Sequence, residues 1–220
     1  MAAANISSDA MNLNQDDYSK LTPLISVITN KAEVEALLNK GADVNFPSLK
    51  RVPQNIAKSR AGNPICRYPI EFAAACSTLD IIKLLLARGA MLENTNALHA
   101  AAGGVTDGDS AEQIKIMEFL LEKGLDINAI EFVVDASFPE QYEDRFYGTP
   151  LHYAAVWGWE DRFEFLLKKG ADTKALGYSY KSKKQWGTPL DWQMLNEEDE
   201  GSYSKRIRDL LTVPQRVKGS

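Results

Sequence analysis

The chain has 220 residues, of which 45% are hydrophobic and 25% charged, a balance typical of a globular protein. This composition excludes a disordered chain and a collagen-like fibre, and no apolar stretch is long enough to cross a bilayer. Thirty acidic residues against 25 basic ones give a net charge of −5, which argues against nucleic acid as a partner.

The cysteines and the first residues of the chain indicate the cellular compartment in which the protein functions. Two cysteines, Cys66 and Cys76, are too few for a disulfide scaffold, and their spacing matches no zinc motif. The first 17 residues show neither the pattern of a secretory signal nor that of a transit peptide. We therefore expect an intracellular protein, cytoplasmic or nuclear, with no metal, no cofactor and no membrane partner.

Five segments carry the same helix-start pattern, in which a capping residue precedes Pro or Ala and then Leu or Ile. A Thr at the cap accepts a hydrogen bond from a backbone amide, and Pro in the first helical position loses none. A second apolar helical segment follows each start and ends in a Leu-Leu pair. The five starts are Thr22-Pro23-Leu24-Ile25, Tyr68-Pro69-Ile70-Glu71, Asn96-Ala97-Leu98-His99, Thr149-Pro150-Leu151-His152 and Thr188-Pro189-Leu190-Asp191.

Four of the second segments run into a glycine, at Gly41, Gly89, Gly124 and Gly170. Glycine ends a helix in the left-handed conformation that other residues resist. One such helix pair cannot bury its own apolar face, so we expect neighbouring pairs to stack. The predicted core of the stack includes Ile82, Leu85, Leu120 and Leu166.

This pattern resembles the ankyrin repeat family, most clearly in Gly148-Thr149-Pro150-Leu151-His152-Tyr153-Ala154-Ala155. The resemblance implies an all-α repeat solenoid of five irregular units, with stacked helix pairs, projecting hairpins or loops, and first helices that line a concave face. The implied domain spans residues 22–213, with 1–21 as a flexible or capping segment and 214–220 as a flexible tail. Its units lie near residues 22–45, 68–93, 96–128, 149–174 and 188–213.

Three long loops interrupt the array, because three of the four intervals exceed the family period of about 33 residues. The first loop, 46–67, has five basic residues and no acidic one. The third, 129–148, has five acidic residues, one arginine and five aromatic residues, and the fourth, 175–187, has three lysines and no acidic residue. Two interpretations stay open: the loops are solvated connections, or their aromatic side chains pack onto the array or onto a ligand.

Aromatic residues at the loop ends and on the concave register are the predicted binding residues. Binding hot spots are enriched in Tyr, Trp and Arg, although the same rings could fill gaps between irregular repeats. The candidates are Arg67, Cys76, Tyr147, Trp157, Tyr178, Tyr180, Trp186 and Trp192.

The only two histidines, His99 and His152, occupy the same position in their units. The resemblance implies that a histidine at this position is structural. Glu71 and Asp191 occupy the equivalent position in neighbouring units, which pairs Glu71 with His99 and Asp191 with His152. Such a pair could act as an acid and a base or could brace the repeats, and we favour the brace.

The sequence favours a monomeric, non-enzymatic recognition module that binds a protein partner through its concave face and its long charged and aromatic loops. This hypothesis follows mainly from what the resemblance implies. The alternative is a site for a small apolar molecule in an aromatic-walled pocket under the loops. If that site were catalytic, a metal-free acid–base isomerase, cyclase or lyase would suit Glu71, His99, His152 and Asp191 best.

Overall fold

The first helix of each predicted pair starts at the expected Pro or Ala. A computed structural model describes residues 21–48, 66–104, 110–131, 146–179, 182, 184–194 and 204–212. Within those ranges the chain is mostly helical, with ten helices and one small sheet. The helices are α1 (Pro23–Ser26), α2 (Lys31–Asn39), α3 (Pro69–Cys76), α4 (Leu79–Ala87), α5 (Ala97–Gly103), α6 (Ala111–Glu122), α7 (Pro150–Val156), α8 (Glu160–Lys168), α9 (Pro189–Met194) and α10 (Lys205–Thr212).

The helix ends follow from the local sequence. Thr22 caps α1 with its side-chain oxygen, which accepts from the amide of Ile25 at 3.4 Å. The four predicted glycine stops all have positive φ, between 90° and 93°, in the residue after the helix cap. A side chain at these positions would strain the backbone, which explains why α2, α4, α6 and α8 end there.

The helices pack in two rows. The first-helix row consists of α1, α3, α5, α7 and α9, and each member contacts the next. The second-helix row consists of α2, α4, α6, α8 and α10, with the same succession of contacts. The main hydrophobic core lies between the rows and runs from α1 to α10. The predicted core residues are all fully buried: Ile82, Leu85, Leu120 and Leu166.

A small antiparallel sheet adds a β component to the all-α class expected from the sequence. Its strands are β1 (Phe146–Tyr147), β2 (Gly177–Ser179) and β3 (Lys184–Trp186), in the order β1-β2-β3. The sheet therefore joins the segment before α7 to the hairpin that follows α8. The paired residues are Phe146 with Ser179, Tyr147 with Tyr178, Gly177 with Trp186, Tyr178 with Gln185 and Ser179 with Lys184.

A helix that spans a membrane must be both long and apolar. None of the helices in the described ranges is both long and apolar enough to span a bilayer.

Candidate functional site

Each of the three long loops is closed at its base by an equivalent backbone hydrogen bond. The amide of Ser48 donates to the carbonyl of Arg67 at 2.7 Å, and the amide of Gly177 donates to the carbonyl of Gly187 at 2.8 Å. The amide of Glu131 donates in the same way to the carbonyl of Gly148, at 2.9 Å. All three loops therefore leave the helix array at equivalent points. Residues 49–65 and 132–145 of these loops lie outside the described part of the chain.

A large side chain lies at the fourth position of each first helix that follows a long loop. Phe72, Tyr153 and Trp192 occupy this position after the three long loops, whereas Ala100 occupies it in the unit that follows without an insertion. The hydroxyl of Tyr153 donates to Oε2 of Glu131 at the base of its loop. Tyr153 thus contacts the base of the loop that precedes its helix.

Trp192 is held by three glycines of the two neighbouring loop bases. A Cβ atom added to Gly148 or to Gly177 would lie 2.8 Å from a ring atom of Trp192, and one added to Gly187 would lie 3.0 Å away. The ring is fully buried and meets the ring of His152 edge to face, at 4.7 Å between centroids. The glycines therefore leave the room that the indole needs.

Phe146 connects this buried ring with an exposed one. The rings of Phe146 and Trp186 stack with their centroids 4.4 Å apart and their planes at 24°. The centroids of Phe146 and Trp192 are 6.2 Å apart. Trp186 is 37% exposed and lies on β3. The result is an aromatic cluster that reaches from the core to the surface of the hairpin.

The other predicted binding residues are distributed around this cluster. Trp157, at the end of α7, is half-buried and packs against the small buried cluster that consists of Tyr153, Val156 and Trp192. Tyr178 is half-buried in the central strand, and Tyr147 is fully buried.

The remaining candidates lie elsewhere. Arg67 is half-buried and precedes α3, and Cys76 is exposed at the end of the same helix, so both belong to an earlier part of the first-helix row. Tyr180 lies outside the described residues. The structure thus brings Tyr147, Trp157, Tyr178, Trp186 and Trp192 to one end of the molecule and leaves Arg67 and Cys76 apart from them.

Glu71 uses both carboxylate oxygens on backbone amides. One oxygen accepts from the amides of Arg67, at 2.5 Å, and Tyr68, at 2.8 Å, and the other accepts from Asn96 at 2.6 Å. Burial raises the pKa of Glu71, and these three hydrogen bonds lower it in part. The side chain joins the start of α3 to the segment before α5.

His152 has a defined tautomer. Its Nδ1 accepts from the amide of Thr149 at 3.1 Å, so Nε2 carries the proton and donates to the carbonyl of Gly187 at 3.1 Å. Burial lowers the pKa of His152 to about 4, which keeps the ring neutral near pH 7.

His99 and Asp191 complete the set of predicted acid–base candidates. The Nε2 atom of His99 lies 2.9 Å from the carbonyl of Ala129, and burial lowers its pKa. Asp191 is exposed and accepts from the amide and the hydroxyl of Thr188 at 2.7 and 2.8 Å. Within the described residues no hydrogen bond joins Glu71 to His99 or His152 to Asp191. Glu71, His99 and His152 instead bind backbone groups of a neighbouring segment, as a brace would, whereas Asp191 binds only Thr188 at the start of its own helix.

Glu131 is a buried residue that the sequence analysis did not single out. It is 3% exposed and accepts the hydrogen bond from Tyr153 described above. Its negative charge adds to the burial that raises the pKa of Glu71, and it opposes the lowering of the pKa of His99. The position of Glu131 in the sequence could have indicated its place at a loop base. It follows Gly124 at the same distance at which Ser48 follows Gly41 and Gly177 follows Gly170.

The described residues include no group of three or more His, Cys, Asp or Glu side chains that could hold a metal ion.

A protein-family model matches part of the chain. The family described as Ankyrin repeat matches residues 148–177, which contain α7, α8 and the first residue of β2. No curated protein matches the chain. The chain therefore contains an ankyrin repeat, and repeats of this kind generally mediate protein–protein contacts.

Proposed function

We propose that the five helix pairs form one ankyrin-type solenoid, over about residues 22–213, which serves as a non-enzymatic recognition module for a protein partner. The partner binds on the side where the three long loops emerge, and Trp186 is its main anchor. The single observation that carries this proposal is the exposed indole of Trp186, which Phe146 holds in place on a hairpin rooted in the core. The module acts as a monomer in the cytoplasm or nucleus.

Repeated links between neighbouring helix pairs support the solenoid. Asn45 accepts from the amide of Met91 at 3.0 Å and donates to the carbonyl of Gly89 at 2.9 Å. Asn128, at the equivalent position two pairs later, accepts from the amide of Asp172 at 2.8 Å. Together with the two rows of helices and the repeated loop-base hydrogen bond, these links support a stack in which each unit contacts its neighbours.

The energetics of recognition also favour Trp186. A tryptophan buries a large apolar area at a small cost in conformational entropy, and it is among the residues most enriched in binding hot spots. The stack on Phe146 fixes the ring before binding, which reduces the ordering cost further. The acid–base alternative finds no comparable support, because Glu71, His99, His152 and Asp191 are each engaged by the hydrogen bonds described above.

The test is affinity capture from the source cells with the tagged full chain, followed by measurement of Kd with each captured protein after purification. We expect Trp186→Ala to weaken binding of a true partner by about tenfold or more, the loss of a hot-spot side chain. Met91→Ala is the matched control, because Met91 is also an exposed apolar residue (56%) and follows α4, in a different helix pair from the hairpin. A partner whose Kd is unchanged by Trp186→Ala would contradict the proposed anchor.

A further inference from the structure

We infer that Glu71 and His99 form a proton-dependent switch between the second helix pair (α3 and α4) and the third (α5 and α6). The amide of Asn96 bonds to Glu71 at neutral pH, and it bonds to Nδ1 of His99 after Glu71 takes up a proton. Acidification thus breaks one hydrogen bond between the pairs and forms one within the third pair. The switch lies inside the array and does not depend on whether Trp186 binds a partner.

His99 lacks a hydrogen bond that His152 makes at the equivalent position. Nδ1 of His152 accepts from the amide of Thr149, the N-cap residue of α7. The N-cap residue of α5 is Asn96, and its amide donates instead to Oε1 of Glu71 in the preceding helix pair, at 2.6 Å. The ring of His99 donates through Nε2 to a carbonyl, so Nδ1 is the unprotonated acceptor. This nitrogen is buried and has no hydrogen-bond partner among the described residues.

Protonation of Glu71 displaces the fewest hydrogen bonds at the oxygen that holds Asn96. Oε2 accepts from the amides of Arg67 and Tyr68, whereas Oε1 accepts only from Asn96. A carboxyl oxygen that carries a proton becomes a donor, and its hydrogen competes for space with the amides that pointed at it. A proton on Oε2 would disturb both amides, and a proton on Oε1 disturbs one. Proton uptake therefore releases the amide of Asn96.

Nδ1 of His99 is the acceptor for the released amide. Asn96 and His99 have the same separation along the chain as Thr149 and His152, whose amide nitrogen and Nδ1 are 3.1 Å apart. Burial lowers the pKa of His99 and raises that of Glu71, so the ring stays neutral and able to accept while Glu71 titrates. The new bond also satisfies a buried acceptor, which offsets the loss of the old one.

The groups around the switch favour proton uptake by Glu71. The negative charge of Glu131 adds to the burial that raises the pKa of Glu71. The pKa of His99 remains lowered because burial outweighs the nearby carboxylates. The buried residues of α1, α4 and α6, which also contact α3 or α5, include no titratable side chain. The titratable side chains that act on the switch from neighbouring elements are Glu131 and Asp126 after α6 and His152 and Tyr153 in α7.

The test is an NMR titration of the isotope-labelled full chain, from about pH 8 down to the onset of acid unfolding. It follows the carboxyl carbon of Glu71, the amide proton of Asn96 and the Nδ1 signal of His99. We expect all three to change with one midpoint. The amide proton moves upfield as it leaves a short bond to a carboxylate, and Nδ1 moves upfield as it accepts a hydrogen bond. Nδ1 of His152, which already has a donor, is the internal control and should not change at this midpoint.

Glu71→Gln fixes the protonated state of the switch. The amide nitrogen of glutamine cannot accept from Asn96, whereas its oxygen still accepts from the two amides at the start of α3. The Asn96 and His99 signals should therefore take their acid positions at every pH. Glu112→Gln is the matched control, because Glu112 also accepts a backbone amide of a neighbouring helix pair, at 2.8 Å, and should leave both signals and their titration as in the parent.

Four results of the parent titration would overturn the switch, even if Glu71→Gln fails to fold. A Glu71 titration that leaves the Asn96 amide unchanged would mean that the amide is not released. A shift of this amide without one at Nδ1 of His99 would mean that it bonds elsewhere. Convergence of the two ring nitrogens of His99 at the same midpoint would make the ring itself the proton acceptor. The fourth is the absence of any Glu71 titration before the chain unfolds.

Discussion

At the residue scale, the buried neutral ring of His152 makes stability depend on pH. The pKa of His152 is about 4 in the folded chain, against about 6.5 for an unperturbed histidine. The unfolded chain therefore binds the proton more tightly, and the free energy of unfolding falls as pH falls from about 6.5 toward 4. The lowered pKa of His99 makes the free energy of unfolding fall with pH in the same direction. The raised pKa of Glu71 has the opposite effect, because the folded chain then binds the proton of Glu71 more tightly than the unfolded chain does.

We expect His152 alone to lower the free energy of unfolding by about 2 kcal/mol between pH 7.5 and pH 5. Urea denaturation at several pH values measures this dependence. In His152→Gln, which cannot titrate but retains an amide donor for Gly187, the dependence should be weaker by about that amount. An identical pH dependence in the variant and the parent would contradict the assigned environment of His152.

Trp192 and Trp186 should differ in how much they contribute to stability, since Trp192 is fully buried and Trp186 is partly exposed. Trp192→Ala should lower the free energy of unfolding by about 3–5 kcal/mol, because it empties a site enclosed by Gly148, Gly177 and Gly187. Trp186→Ala should cost about 1 kcal/mol, for the lost stack on Phe146. Thermal and urea unfolding of both variants measure the difference, and equal losses would contradict the packing.

The sequence predicted aromatic residues at this end of the molecule but could not separate the buried rings from the exposed one. Trp186 and Trp192 both flank the same Thr-Pro motif. Their burial differs because Gly148 and Gly177, from earlier in the chain, pack around Trp192 together with Gly187, and this is a property of the tertiary structure. Glu131 stayed undetected for the same reason, since its burial depends on Tyr153 from the following unit.

At the element scale, Arg162 ties two helix pairs together. It lies in α8 and is fully buried, and its guanidinium donates to the carbonyls of Ala101, Ala102 and Gly104 at 3.2, 3.4 and 2.6 Å. These carbonyls belong to the end of α5, where the helix dipole favours a positive charge. Burial lowers the pKa of Arg162 to about 10, so the side chain remains charged at neutral pH.

Arg162→Met should lower the free energy of unfolding by about 3 kcal/mol or more, because it leaves several buried carbonyls without their donor. Arg162→Lys should recover only part of this loss, since the lysine side chain is one bond shorter than the reach to Nη1, which makes all three contacts, and it has no counterpart of the Nε that donates to Ser110. Arg206→Met removes an exposed ion pair with Glu164 and should cost less than about 1 kcal/mol. Urea denaturation compares the three, and a small effect of Arg162→Met would contradict the proposed role of this contact.

The elements differ in how far the sequence predicts them. Helix starts and stops follow from local chemistry, such as the cap at Thr22 and the positive φ of Gly41, and they occur where the sequence places them. The sheet depends on β1 meeting β2 across the whole of α7 and α8, and no local pattern encodes such a contact. Arg162 likewise interrupts an apolar helical face, and only its distant carbonyl partners explain its burial.

At the scale of the whole molecule, the proposed solenoid predicts a quasi-one-dimensional array in which each unit is stabilised by its neighbours. Leu120, in α6, is fully buried at the middle of this array. All four tryptophans lie at positions 157 to 192, in the C-terminal part, whereas the helices run through both parts. Tryptophan fluorescence and far-UV circular dichroism therefore report on different portions of the same chain.

Leu120→Ala should lower the free energy of unfolding by about 2–5 kcal/mol, the usual cost of emptying a core leucine site. In an array, this loss weakens the coupling between the two ends, so the variant should show separate urea transitions by fluorescence and by circular dichroism, while the parent shows coincident ones. Leu210→Ala, which shortens a half-buried side chain in the last helix, is the control and should leave the transitions coincident. Coincident transitions in a strongly destabilised Leu120→Ala would contradict the expected weakening of the coupling, and an unchanged midpoint would remove Leu120 from the core.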